Sequence, residues 1–207
     1  GTGGLCSQLV PLLESKFEVT SVGSSQVDVS DFQSVHNFLT DKEFDIVLNL
    51  TGFNYDCFLH KYEEGNLKNI KKQVDTNILG TVNIVQNCLP FLRSQGYGRI
   101  ILMSSVLTTN PVVGTSIYTG CKGFIDSFCK TVALENVGKG INCNSIQLGY
   151  FDGGLTYKIP EQVRDNIRES IPSKRWGSIQ ELFNTVCFLV DTEYITGQNI
   201  KVSGGLI

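Results

Sequence analysis

Short apolar runs bounded by glycine, proline or polar turns alternate along this chain with longer segments of helical periodicity. That alternation restricts the fold more than any other feature. The apolar runs read as strands over 16–22, 26–29, 46–50, 99–103, 142–147 and 199–202. Between them, the spacing predicts helices over 7–15, 31–40 (with Ser30 or Asp31 as N-cap), 67–89, 116–136, 161–169 and 179–190, the third breaking ahead of Pro90. Strand–helix alternation calls for a parallel sheet covered by helices on both faces and joined by right-handed crossovers. The prediction is an α/β fold, a doubly wound parallel sheet in three αβα layers. No linker, repeat or low-complexity stretch interrupts the pattern, so 1–207 reads as one domain.

Composition narrows the function classes. With 41% hydrophobic and 18% charged residues among 207, the chain can bury a sizeable core and is not disordered. A net charge of −3 and a pI near 5.4 offer no basic field for nucleic acid or anionic lipid. No apolar run approaches the roughly 20 residues of a membrane-spanning helix, and no signal peptide is visible. The seven cysteines, Cys6, Cys57, Cys88, Cys121, Cys129, Cys143 and Cys187, form no Cys-x-x-Cys pair, and only His36 and His60 accompany them. No metal site is expected; reduced, mostly buried thiols in a cytoplasmic protein are.

The chemistry gathers in Ser116-Ile117-Tyr118-Thr119-Gly120-Cys121-Lys122-Gly123. Residues four apart on a helix project from one face, so Tyr118 and Lys122 stand one turn apart. An ammonium beside a phenol favours the phenolate and lowers its pKa toward the range of proton exchange. Alone, the pair also fits a half-buried tyrosine beside a solvated lysine. Upstream, Ser104-Ser105 closes the apolar run 99–103, which places Ser105 at a strand's carboxyl end, where open α/β sheets bind ligands. Further upstream still, Asn77 interrupts a long helical pattern.

In this order Asn77, Ser105, Tyr118 and Lys122 resemble the catalytic tetrad of the short-chain dehydrogenase/reductase family, and the resemblance covers nearly the whole chain. Asn49-Leu50-Thr51-Gly52 resembles the family's Asn-Asn-Ala-Gly turn, and Asp28-Val29-Ser30-Asp31 its Asp-Val-Thr element, whose acid meets the adenine. Gln147-Leu148-Gly149 is similar to its Pro-Gly turn, with Leu148 in the proline's place, and Ser203-Gly204-Gly205 to its C-terminal Gly-Gly. Lys174-Arg175-Trp176-Gly177 resembles the Arg-x-Gly ahead of its final helix. Gly1-Thr2-Gly3-Gly4-Leu5-Cys6 resembles its glycine-rich turn, where backbone amides receive a pyrophosphate; Cys6 takes the third glycine's place. A strand is expected before that turn, which suggests that the sequence begins downstream of the natural N-terminus. Only 23–27 separate the second and third expected strands, where most relatives insert a helix.

The resemblance implies a Rossmann-type dinucleotide-binding domain. Its cofactor contacts would be Gly1, Gly3, Leu5, Ser24, Asp28, Asn49, Thr51, Gly52, Tyr118, Lys122 and Gly149. Gly23-Ser24-Ser25 supplies no acid for the ribose hydroxyls, which favours NADP through serine hydroxyls, yet no nearby arginine is available for a 2′-phosphate; NADP or NAD is expected. Tyr118 would exchange the proton of a carbonyl or secondary alcohol, with Ser105 donating to its oxygen. Lys122 would tune the tyrosine and bind the ribose, and Asn77 would hold a water linking Lys122 to solvent. The segment 150–173, opening on Gly153-Gly154, reads as a substrate lid. A sugar or sugar-nucleotide carbonyl is the favoured small-molecule substrate. A 3-oxoacyl thioester, or a dinucleotide-sensing role without turnover, remains the alternative. Apolar residues on more than one face of 67–89 (Ile78, Val82, Val85, Leu89) and of 116–136 (Phe124, Phe128, Val132) imply a homodimer or homotetramer.

Overall fold

The computed structural model describes residues 3–207. Four parallel strands, β1 (Ile46–Asn49), β2 (Gly98–Ser105), β3 (Ile141–Leu148) and β4 (Asn199–Val202), lie side by side in chain order. The ladder pairs Ile46 with Arg99, Ile100 with Cys143 and Ile146 with Ile200. Seven α-helices connect and cover them: α1 (Cys6–Glu14), α2 (Phe32–Leu39), α3 (Lys68–Val74), α4 (Gly80–Gln95), α5 (Ser116–Asn136), α6 (Glu161–Ser170) and α7 (Ile179–Asp191). The result is the expected α/β three-layer arrangement.

Alternation along β2 explains the layers. Successive strand residues face opposite sides, and here both sides are greasy. Ile100 and Leu102 meet Val85, Cys88 and Leu92 of α4 and Ile125, Cys129 and Val132 of α5. Ile101 and Met103 meet Leu9 and Leu13 of α1 and Leu182, Val186 and Leu189 of α7. Each such buried aliphatic side chain contributes about 1.5–3 kcal/mol, so an unbroken apolar run is what a strand covered twice requires. Among the described residues no helix is long and apolar enough to cross a membrane.

Two expectations are corrected. Segments 16–22 and 26–29 form turns and irregular chain rather than strands and join no ladder, so β1 is an edge of the described sheet. Their side chains still dock, Val19 on the α1/α7 core and Val27 in a buried position. The helix over 67–89 is instead α3, a π-helical turn at Asp75–Leu79, and α4, which runs through Pro90 to a left-handed cap at Gly96. Pro90 is exposed, while Val85, Cys88 and Leu92 keep the inner face apolar on either side of it, so packing outweighs the lost backbone bond. Val85 and Val132 are core residues that also line the groove between α4 and α5 beside Val82, Leu89 and Phe128.

Candidate active site

The carboxyl end of β2 sets the centre of the site. Ser105, the last strand residue, turns the chain into a 3-10 turn (Val106–Thr108), and its Oγ accepts from the Leu107 amide at 3.2 Å. Beside it runs α5, fastened to β2 where Ser104 Oγ donates to the Lys122 carbonyl (3.2 Å). Tyr118 and Lys122 face inward from α5, and the Tyr118 phenol lies beside the Ser105 hydroxyl. Lys122 is 2% exposed; its Nζ donates to the Met103 carbonyl at 2.7 Å and lies 5.6 Å from the Tyr118 ring centroid.

Behind the lysine come Gly52 and Asn77. A Cβ placed on Gly52 would stand 3.6 Å from Asn77 Oδ1 and 3.7 Å from Lys122 Nζ, so all three meet at one point. Asn77 is buried in the π-helical turn. Its Oδ1 accepts from the Phe53 amide (3.1 Å), while Nδ2 donates to the carbonyls of Phe53 (2.7 Å) and Gln73 (2.8 Å). The amide is thus a clamp on the loop after β1. Asn49 fixes the start of the same loop: its Oδ1 accepts from the Thr51 amide and hydroxyl at 3.0 and 2.6 Å, and its Nδ2 donates to Thr81 Oγ1.

Burial governs the titration of the pair. It pushes the Tyr118 phenol up to about 12, with the negative charge of Asp56 adding to the rise and the Ser105 hydroxyl opposing it. Burial also pushes Lys122 down to about 8, against the pull of Cys121 and Asp126. This corrects the expectation that Lys122 depresses the phenol: removing a phenolate from water costs more than the neighbouring groups return.

The remaining expected contacts lie further out. Gly149 meets the end of β4 so closely that a Cβ would lie 2.8 Å from Ser203 Cα, and its amide donates to the Val202 carbonyl. Packing alone therefore requires glycine there. Leu148, in the proline's place, joins the ladder opposite Ser105 and Val202. Asp28 is exposed, and its Oδ1 accepts from the Ser30 amide and hydroxyl (2.9 and 2.7 Å), which holds its carboxyl below the usual range. Asn83 Nδ2 donates to the Val29 carbonyl and ties this segment to α4. Ser24 sits in the exposed turn before it. Gly3 and Leu5 lead into α1, whereas Gly1 lies outside the described residues. Gly153 and Gly154 press against this turn: a Cβ on Gly153 would come within 2.7 Å of Gln8 Nε2, and one on Gly154 within 3.0 Å of Leu5 Cγ.

Two residues escaped the sequence reading. Gln73, fully buried one turn before Asn77, accepts from the Tyr55 amide (3.3 Å) and donates to the Tyr62 phenol (3.2 Å). Its position i−4 to Asn77 is the signal that points to it. Asp56 carries its charge toward Tyr118 and Tyr150, and nothing in its local sequence marks it.

Comparison with known proteins fits this geometry. The family model described as enoyl-(acyl carrier protein) reductase matches residues 7–207. The chain is 31% identical over 186 residues to nodulation protein G of Azospirillum brasilense, covering 86% of this chain and 74% of that protein. The chain belongs to the short-chain dehydrogenase/reductase family. As a member of that family it is an NAD(P)-dependent oxidoreductase. The 3-oxoacyl-(acyl-carrier-protein) reductase FabG of Staphylococcus epidermidis is another relative, 31% identical over 164 residues; the match covers 78% of this chain and 66% of the relative. Among solved structures, a protein of Agrobacterium tumefaciens assigned as a 2-deoxy-d-gluconate 3-dehydrogenase, with bound NADP, superposes with a TM-score of 0.78 at 26% identity; the match covers 87% of this chain and 74% of that one. ElxO with NADP bound shares the fold, with a TM-score of 0.81 at 22% identity over 97% of this chain and 84% of its own.

Proposed function

We propose that this chain, as a single dinucleotide-binding domain, interconverts a ketone and a secondary alcohol, with Tyr118, Ser105 and Lys122 as its catalytic residues. The observation that carries the reading is the convergence of the buried Tyr118 phenol and the Ser105 hydroxyl at the carboxyl end of β2, with the Lys122 ammonium buried behind them. The donor set suits a dinucleotide: Gly52 leaves the Asn77–Lys122 corner free of a side chain, and a glycine turn precedes α1. Gly3, Leu5, Asn49, Thr51, Gly52, Gly149 and Lys122 would hold it, with Ser24 and Asp28 toward its adenosine end.

A bound nicotinamide supplies or accepts the hydride. Ser105 Oγ donates to the substrate oxygen and steadies charge that develops there. Tyr118 Oη, kept protonated by burial, gives that oxygen its proton in reduction and takes it back in oxidation. Lys122 holds positive charge beside the phenol while Met103 fixes its position. Asn77 holds the loop that brings Gly52 to the lysine.

For substrate we assign a 3-oxoacyl thioester. Phe58 and Leu59 after β1, and Val112 and Val113 after β2, leave large apolar side chains exposed at the carboxyl end of the sheet, suited to an acyl chain. The relatives at 31% identity include a reductase named for such substrates. A sugar carbonyl is the second reading, favoured by likeness to the Agrobacterium dehydrogenase. NADPH oxidation with acetoacetyl thioester beside a panel of keto sugars tests both. Turnover of the thioester supports the first, turnover of sugars alone the second, and tight NADPH binding without oxidation of any substrate would convert the reading to a sensor.

We also propose a homodimer or homotetramer through α4 and α5, where Val82, Leu89 and Phe128 line an apolar groove. Light scattering that finds only a 22.8 kDa particle at micromolar concentration overturns it.

A further inference from the structure

The geometry points to Asp126 as a positioning residue that balances the charge of Lys122 and steadies Ser105 from behind through Gln147 and Thr108; this rests on the roles proposed above for those two residues. Lys122 and Asp126 stand one turn apart on the inner face of α5, and Asp126 is the one buried carboxylate among the described residues. A carboxyl group taken out of water without partners is costly. Here Asp126 Oδ2 accepts from Gln147 Nε2 at 2.7 Å, and Oδ1 accepts from Ser145 Oγ at 3.0 Å. Gln147 Nε2 also donates to Thr108 Oγ1 (3.0 Å), and the Thr108 hydroxyl donates to the Ser105 carbonyl (2.9 Å). Every group in this relay is oriented by the next. The chain ends on the backbone of the serine whose side chain meets Tyr118.

The surroundings leave Asp126 as the counter-charge. Toward Lys122, β2 presents the Met103 carbonyl, the π-helical turn Asn77 and the loop after β1 Gly52, none of which ionises. On α5 itself the titratable neighbours are Tyr118 and Cys121. Toward Asp126, β3 presents Ser145 and Gln147, and β4 presents Asn199 through Ser145. Lys201 of β4 reaches this end of the sheet but is bound to Thr109 Oγ1 (3.0 Å). Cys121 and, after it, the charge of Asp126 raise the proton affinity of Lys122, opposing the effect of burial.

The test reads the lysine directly, so it stands whether or not a substrate has been found. Protein labelled at lysine Cε is titrated by NMR, and the Lys122 signal is assigned by its loss in Lys122→Arg. In Asp126→Asn, which keeps the shape and removes the charge, the Lys122 midpoint should fall by about one pH unit, roughly tenfold in protonation constant. In active protein the alkaline limb of turnover should move down with it. An unmoved midpoint in folded Asp126→Asn overturns the counter-charge role. Gln147→Met cuts the relay but keeps the carboxylate: turnover should fall about tenfold with cofactor KM and the Lys122 midpoint unchanged. Unchanged turnover in Gln147→Met overturns the relay, including where Asp126→Asn fails to fold. Failure of wild-type protein to turn over any carbonyl would count against the proposed reaction and leave the lysine titration intact.

Discussion

The Lys122 ammonium is bonded to the Met103 carbonyl at 2.7 Å while its neighbour on the helix face, Tyr118, lies beside the Ser105 side chain. The two residues share the inner face of α5 with different surroundings, Lys122 held on the β2 backbone and Tyr118 beside a side chain at the strand's end. Their contributions should therefore separate on mutation.

Tyr118→Phe removes the proton donor and leaves the ring. Turnover should fall by at least about 10², while NADPH affinity measured by fluorescence titration stays near wild type. Near-normal turnover in this variant excludes Tyr118 as the proton donor.

Stability should depend on pH in two opposed steps. Lys122 is pushed down to about 8 from 10.5, so between those values the unfolded chain binds more protons and stability rises with pH. Tyr118 is pushed up to about 12 from 10, so between those values the folded chain binds more protons and stability falls as pH increases. Each step amounts to about 3 kcal/mol at its limit. Urea denaturation compared with Lys122→Met should lose the first step, and with Tyr118→Phe the second.

Gly149→Ala should destabilise the fold by about 1–3 kcal/mol, because the added methyl meets the Ser203 backbone 2.8 Å away. A denaturation midpoint equal to wild type, with weakened cofactor binding alone, would show that Gly149 matters only to the ligand.

Asn77→Ala unties three hydrogen bonds at once, two of them to Phe53. A loss of about 2 kcal/mol is expected, because the Phe53 amide loses its partner. Hydrogen exchange should quicken at Phe53 and leave Ile100 to Leu102 protected.

Much of this was legible in the sequence. The continuous apolar run of β2 announced a strand buried on both faces, and the order of Asn77, Ser105, Tyr118 and Lys122 placed the site at the sheet's carboxyl end. What escaped depended on contacts between segments distant in sequence. The β-branched composition of 16–22 could not say whether a ladder partner would stand beside it. Pro90 read as a helix stop because periodicity carries no weight for the core that holds α4 together across it. The phenol's rise reflects burial, which the four-residue spacing of Tyr118 and Lys122 does not encode. Asp126 looked like one polar residue among many on a long helix until β3 brought Gln147 and Ser145 to it.

Gly153 and Gly154 rest directly on Leu5 and Gln8. Exchanging the segment after β3 for a homologue's, the usual route to altered selectivity, would at the same time replace a wall of the turn that opens α1. Redesign of either half of this molecule has to carry the other with it.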